Sequence, residues 1–307
     1  MPAEMSWKVT AEGSQAQVTA ALLAHEEAHD WDPDIVLGGC EMAEDRPLDW
    51  RLEAWLADEP GEAELVAIAA LFAGVAPRLE VEKLPATDWV TASQQGMEPI
   101  RAGRFHVRTP DHPPIPPGDP ALIDFVIPAS QAFGTGQHAT TAGCLEMLSA
   151  MKARGVQVKN CADIGTGTGL LAFAARALWR QALLTASDID PVCLAVVLEN
   201  AAANAVPLGG GRGALTMAVA AGLDHPLLAA RAPYDLLIAN ILAGPLVELM
   251  PDFARAVLPG GHLVLAGLLT TQEAAVRRAG LRAGFRLAAR LERGDWSILW
   301  LRRRAAR

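Results

Sequence analysis

No apolar run in this 307-residue chain is long enough to cross a bilayer uninterrupted. Met1–Gly13 has no basic segment leading into an apolar core, so no secretory signal is expected there. A cytoplasmic protein with no membrane partner is the expectation. Cysteine is scarce: Cys40, Cys144, Cys161 and Cys193 are widely spread and make no C-x-x-C pair. That pattern fits reduced thiols and argues against zinc. His25 and His29 stand one helical turn apart, but no third ligand lies near them; a solvated helix face is expected, and no metal. Lysine and arginine number 26 against 35 aspartates and glutamates, a net charge of −9. A broad basic face is therefore disfavoured, and no sequence-specific nucleic-acid binding is expected. An acidic chain is better suited to a basic partner. Also missing are a G-x-S-x-G elbow, a lysine behind a glycine-rich phosphate loop and H-E-x-x-H.

What the chain does have is apolar residues, 51% of the total, enough for a sizeable core and for two domains. Residues 1–87 read as a small α+β unit. Strands are expected over Ser6–Ala11, Ile35–Glu41, Asp49–Leu56 and Arg78–Leu84, and helices over Ser14–Ala28 and Glu62–Phe72. The order β-α-β-β-α-β is that of ferredoxin-like domains. Residues 88–120 read as a linker, because Pro110, Pro113, Pro114, Pro116, Pro117 and Pro120 fix an extended path and block helices.

From residue 121 to 307 apolar strands alternate with helices, which predicts a mostly parallel, doubly wound sheet. Its first core strand, Asn160–Ile164, runs into G-T-G-T-G and then into a helix over Leu170–Leu178. Gly165, Gly167 and Gly169 let backbone approach a ligand closely, and the helix start offers free N–H groups. A dinucleotide fingerprint would need glycine at position 170, which is Leu170. That favours S-adenosylmethionine, which has no pyrophosphate, over NAD. Asp188 ends the next strand about 20 residues on, where a carboxylate accepts from both ribose hydroxyls. Asp190 is a weaker ribose candidate, since Asp190-Pro191 also reads as a helix start.

Asn240 ends the fourth strand, in L-L-I-A-N-I-L. Its amide suits an amine nucleophile; a turn-forming asparagine is the alternative. Gln131–Thr141 is a glycine and threonine loop ahead of an expected helix over Ala142–Arg154. Thr140 and Thr141 cap that helix on one reading; on the other, Thr141 lies near the methionine end of the cofactor. His138 is a weak candidate base.

Taken together, A-F-G-T-G-Q-H-A-T-T (132–141), D-I-G-T-G-T-G (163–169), D-I-D-P (188–191) and A-N-I-L-A-G-P-L (239–246) closely resemble the ribosomal protein L11 methyltransferase family. D-W-V (88–90) and P-I-R-A-G-R-F (99–105) also look like that family's. Ala139 stands where the family usually has proline, and Thr166 and Thr168 where it often has cysteine and serine. The resemblance implies a ferredoxin-like domain that recognises the ribosomal protein, a flexible linker and a Rossmann-like, seven-stranded methyltransferase domain. It implies S-adenosylmethionine as cofactor, with contacts at Thr141, Gly165, Asp188 and Asn240; the glycine turn itself adds Gly167 as a further expected contact. It also implies methylation of lysine side chains and the N-terminal α-amine, up to trimethylation. For that reaction Asn240, from its place at the strand end, is the candidate catalytic residue that orients the amine. A nucleic-acid amino methyltransferase is a rival, but Ile241 and Leu242 replace its N-P-P-[YF] motif. An NAD-dependent dehydrogenase is disfavoured by Leu170. A module that only binds the cofactor is disfavoured by the intact motifs.

Overall fold

The computed structural model describes residues 7–27, 31–32, 35–42, 48–73, 77–84, 99–114, 122–128 and 137–305. The chain divides into two compact units, Met1–Trp89 and Val90–Arg307.

The first unit contains β1 (Trp7–Ser14), α1 (Gln15–Glu27), β2 (Val36–Glu41), β3 (Asp49–Leu56), α2 (Glu62–Ala70) and β4 (Leu79–Lys83). Its antiparallel sheet has the order β2-β3-β1-β4, which is the ferredoxin-like arrangement. Period-two alternation puts Val9 and Ala11 of β1 and Leu52, Ala54 and Leu56 of β3 into one buried face. Val18 and Ala21 of α1 and Ile68 of α2 close that core. Ser14 starts α1 by a reciprocal cap. The Gln17 N–H donates to Ser14 Oγ at 3.3 Å, and the Ser14 N–H donates to Gln17 Oε1 at 2.9 Å.

The second unit opens with β5 (Ile100–Ala102), β6 (Phe105–Arg108) and β7 (Ile123–Val126), which form a sheet of their own. The prolines predict a linker over 88–120, but Ile100–Arg108 within it is a hairpin, and β6 pairs in parallel with β7. The alternation of Phe105 and Val107, both buried in the main core, outweighs the prolines that follow. Residues 85–98, 115–121 and 129–136 lie outside the described residues, and with them D-W-V and most of the glycine and threonine loop.

The elements that follow are α3 (Gln137–Ala153), β8 (Asn160–Ile164), α4 (Leu170–Leu178), β9 (Leu183–Asp188), α5 (Val192–Ala203), β10 (Leu215–Val219), α6 (Pro226–Arg231), β11 (Tyr234–Asn240), α7 (Ala243–Glu248), α8 (Met250–Ala256), β12 (Val257–Leu269), α9 (Glu273–Arg282), β13 (Phe285–Arg293) and β14 (Trp296–Arg303). Seven strands make one sheet in the order β10-β9-β8-β11-β12-β14-β13. β14 alone runs opposite to the other six strands. Both sheet faces are covered. One core packs against α3 and α4, the other against α7, α8 and α9. The chain winds outward from β8 to β10 and restarts at β11 on the other side of β8. That reversal opens a crevice beyond the carboxyl ends of β8 and β11.

Two boundaries differ from the sequence expectation. One helix is expected over Pro245–Val257; two form, breaking at Leu249, because Pro251 has no N–H to continue the ladder. The helix expected from Ala142 starts at Gln137, so Thr141 is in α3 rather than at a loop end.

Candidate functional site

The site is built from strand ends. At the end of β8 the Gly165 and Thr166 N–H groups both donate to the Ser187 carbonyl, at 2.8 and 3.0 Å. This fastens the glycine turn to β9. Gly165, Gly167 and Gly169 have φ of +69°, +54° and +86°, a region open to glycine and costly for other residues. A Cβ on Gly165 would also lie 2.3 Å from Ile241 Cγ2.

Asp188, at the end of β9, is held by that turn. Its Oδ2 accepts from the Gly167 N–H at 2.8 Å, and its Oδ1 accepts from the Asp190 N–H at 3.1 Å. Each oxygen keeps a further lone pair for a ligand. Asp190 Oδ1 accepts from the Val192 N–H at 2.9 Å, so its carboxylate is engaged at the start of α5, the capping alternative. Across the crevice, Asn240 Nδ2 lies 3.5 Å from Thr141 Oγ1, a long contact between β11 and α3.

These elements enclose a cavity of about 610 Å³. Thr141, Gly165, Gly167, Asp188 and Asn240 all line it, so the five expected cofactor contacts meet there. His138 lies in the first turn of α3, and its side chain is outside what is described.

The family model for ribosomal protein L11 methyltransferase matches residues 5–304. The chain belongs to the ribosomal protein L11 methyltransferase family. Relatives of that name include one from Agrobacterium fabrum, 37% identical over 89% of this chain and 90% of that protein. Another, from Brucella suis, is 38% identical over 95% and 97%. A crystal structure of a ribosomal protein L11 methylase from Lactobacillus delbrueckii subsp. bulgaricus superposes with a TM-score of 0.54 at 26% identity, covering 68% of this chain and 98% of that one.

Three features of this methyltransferase site have no simple trace in the motifs. The first is charge. Asp188, Asp190 and Glu248 line the cavity, and no lysine, arginine or histidine does among the described residues. Such a pocket favours a cationic ligand. Cys193 also lines it, but burial, with Asp188 and Asp190 nearby, pushes its thiol up to about 11, so it is no nucleophile at neutral pH. Ile189 and Leu242 stand 71% exposed at the rim, each within two residues of a strand-end polar group, and offer apolar faces to a flat ring.

The second is Asp163, which is buried beneath the turn. Its Oδ2 accepts from the Thr166 hydroxyl at 2.6 Å and from the Ala172 N–H at 3.0 Å, tying the turn to α4. Its Oδ1 has no partner among the described residues. Burial pushes the carboxyl up to about 6, while the Thr166 and Ala172 hydrogen bonds pull the other way. The folded state therefore holds this proton more tightly than the unfolded chain does. Stability should fall as pH rises from about 4 to 6, by on the order of 3 kcal/mol, and level off above. Asp163→Asn should remove that slope. Urea midpoints between pH 4 and 7 measure it, and parallel curves for the two proteins would contradict it.

The third is Gly267 in β12, at φ +82°. A Cβ there would lie 2.3 Å from the Ile241 carbonyl oxygen and 2.8 Å from its carbon. Gly267→Ala should displace the backbone that carries Asn240 and reduce methyl transfer at least tenfold. Gly284→Ala is the control: φ is +91°, but nothing lies within 4 Å of the added Cβ. It should lose about 1–2 kcal/mol of stability and keep its turnover. Equal turnover in the two variants would show that Gly267 does not support the site.

Proposed function

We propose that this chain is a cytoplasmic, S-adenosylmethionine-dependent methyltransferase acting on ribosomal protein L11, at lysine side chains and the N-terminal α-amine, repeatedly and up to trimethylation. The observation that carries this reading is the acid-lined cavity at the strand ends, with Asp188 fixed on the glycine turn. It fits a cationic nucleoside that has a ribose and no pyrophosphate. When bound, that cofactor supplies a methyl group on a positively charged sulfur.

The chain's own residues do the rest. Asp188 accepts from the ribose hydroxyls, Gly165 and Gly167 let the turn close on the nucleoside, and Thr141 holds its amino-acid end. The Asn240 amide oxygen accepts from the substrate amine and fixes its lone pair in line with the methyl carbon. Asn240 is neutral and takes no proton. A lysine of reference pKa ~10.4 must lose its proton to water or by desolvation as it enters. Catalysis is then mainly positioning. The first unit recognises the protein substrate: residues 1–89 carry 19 carboxylates against five lysines and arginines, which suits a basic partner.

Incubation with methyl-labelled S-adenosylmethionine and a ribosomal extract tests this. Label in a single protein band of the size of L11 is expected. Label in RNA, or none, would contradict it.

A further inference from the structure

The net charge of −9 conceals an uneven distribution. Residues 273–307 carry ten arginines against three carboxylates. Those on α9 (Arg277, Arg278, Arg282), near the start of β13 (Arg286) and at the end of β14 (Arg302, Arg303) lie at one corner of the second unit, and β13 is the last strand of the sheet; Arg290 and Arg293 lie toward the other end of β13. Arg286 of β13 is the cross-strand partner of Arg302 of β14, which in turn pairs with His262 of β12. Like charges set directly opposite each other are unfavourable unless something neutralises them. Around the edge, Arg277, Arg278 and Arg286 line a concavity of about 500 Å³ above Leu281, Leu287 and Leu301.

Some of these arginines serve the fold. Arg277 and Arg290 pair with the buried Glu273 at 3.1 and 2.5 Å, and Arg293 pairs with Glu146. Among the described residues, Arg278, Arg282, Arg286, Arg302 and Arg304 are all exposed, and none has a carboxylate in ion-pair contact.

We infer that this corner is a docking surface for the phosphate backbone of RNA. Guanidinium groups bind phosphate oxygens in pairs and do so better than lysine. The unneutralised arginines continue past the concavity onto β14, an extent that suits a polyanion rather than a single phosphate group. Phe285 and Trp300 are buried, so the corner's aromatic rings are not open to stacking with bases. Contacts to the backbone alone give binding that is strong at low salt and indifferent to sequence. The surface also leaves the catalytic cavity free. The row His262–Arg302–Arg286 lies toward the start of β12, whereas Asn240 aligns with Ala266 near its end. The inference does not depend on which amine is methylated.

The test is fluorescence anisotropy of a short labelled RNA duplex with the full chain, without S-adenosylmethionine. The wild type is compared with the triple variant Arg278→Gln, Arg282→Gln, Arg286→Gln. The wild type should bind at low salt, with affinity falling steeply as salt rises. The triple variant should bind at least tenfold more weakly and lose about two units of the log–log salt slope. Its thermal midpoint and its methylation of isolated L11 should be unchanged, which separates a failure here from a failure of the proposed activity. No binding by the wild type, or equal binding by the variant, overturns the proposal. So does a polyglutamate peptide that binds the corner more tightly than RNA, since the surface would then be a site for an acidic protein.

Discussion

Asp188→Ala should abolish S-adenosylmethionine binding. The carboxylate has two duties that alanine cannot perform. It accepts from the Gly167 N–H and so holds the glycine turn, and in the proposed function its remaining lone pairs accept from the ribose. Hydrogen bonds to a charged acceptor are worth about 1.5–3 kcal/mol each. Losing both ribose contacts therefore weakens binding by on the order of 10²–10⁴-fold, before any cost of a loosened turn. Isothermal titration of the purified variant measures this, with circular dichroism to confirm folding. Asp188→Asn should fall between the two, since one amide oxygen replaces two carboxylate oxygens. Wild-type affinity in Asp188→Ala would refute the ribose assignment.

Asn240→Ala should behave differently. Its expected defect is in transfer, with kcat falling on the order of 10²-fold, while S-adenosylmethionine affinity changes only a few-fold. The amide stands at the end of β11, where Gly267 backs the chain and Thr141 approaches from α3. Under the proposed roles, removing it should leave the ribose contact of Asp188 in place and free the incoming amine to rotate away from the line of attack. Single-turnover rates at saturating cofactor, set beside titration of the same variant, separate the two effects. A large loss of affinity at nearly normal single-turnover rate would make Asn240 chiefly a cofactor residue.

What was legible in the sequence is what short stretches of chain determine. The apolar strand Asn160–Ile164, the glycine turn and the helix from Leu170 follow from local pattern, and the described elements keep those bounds. The spacing to Asp188 was legible because a doubly wound sheet puts each strand's carboxyl end at the same edge. Asp190 had two readings, and its contact with Val192 supplies the local one. What was not legible depends on partners distant in sequence. Asp163 sits in the motif itself, but its role comes from burial, which no spacing reports. Gly267 resembles any glycine in a strand until the Ile241 backbone is seen against it. The β5–β6 hairpin lay hidden within a proline-rich stretch, and its signal was the two-residue alternation of Phe105 and Val107. The arginine corner was lost in a net charge dominated by the first unit.

The measurement that bears most directly on the account is intact-mass spectrometry of purified ribosomal protein L11 after incubation with this chain and S-adenosylmethionine. Fragmentation then locates any added groups. The account predicts one to three added methylene units per modified amine, on lysine side chains and the N-terminal amine, and none when Asp188→Ala replaces the wild type. An unchanged L11 mass with folded, cofactor-binding enzyme would contradict it.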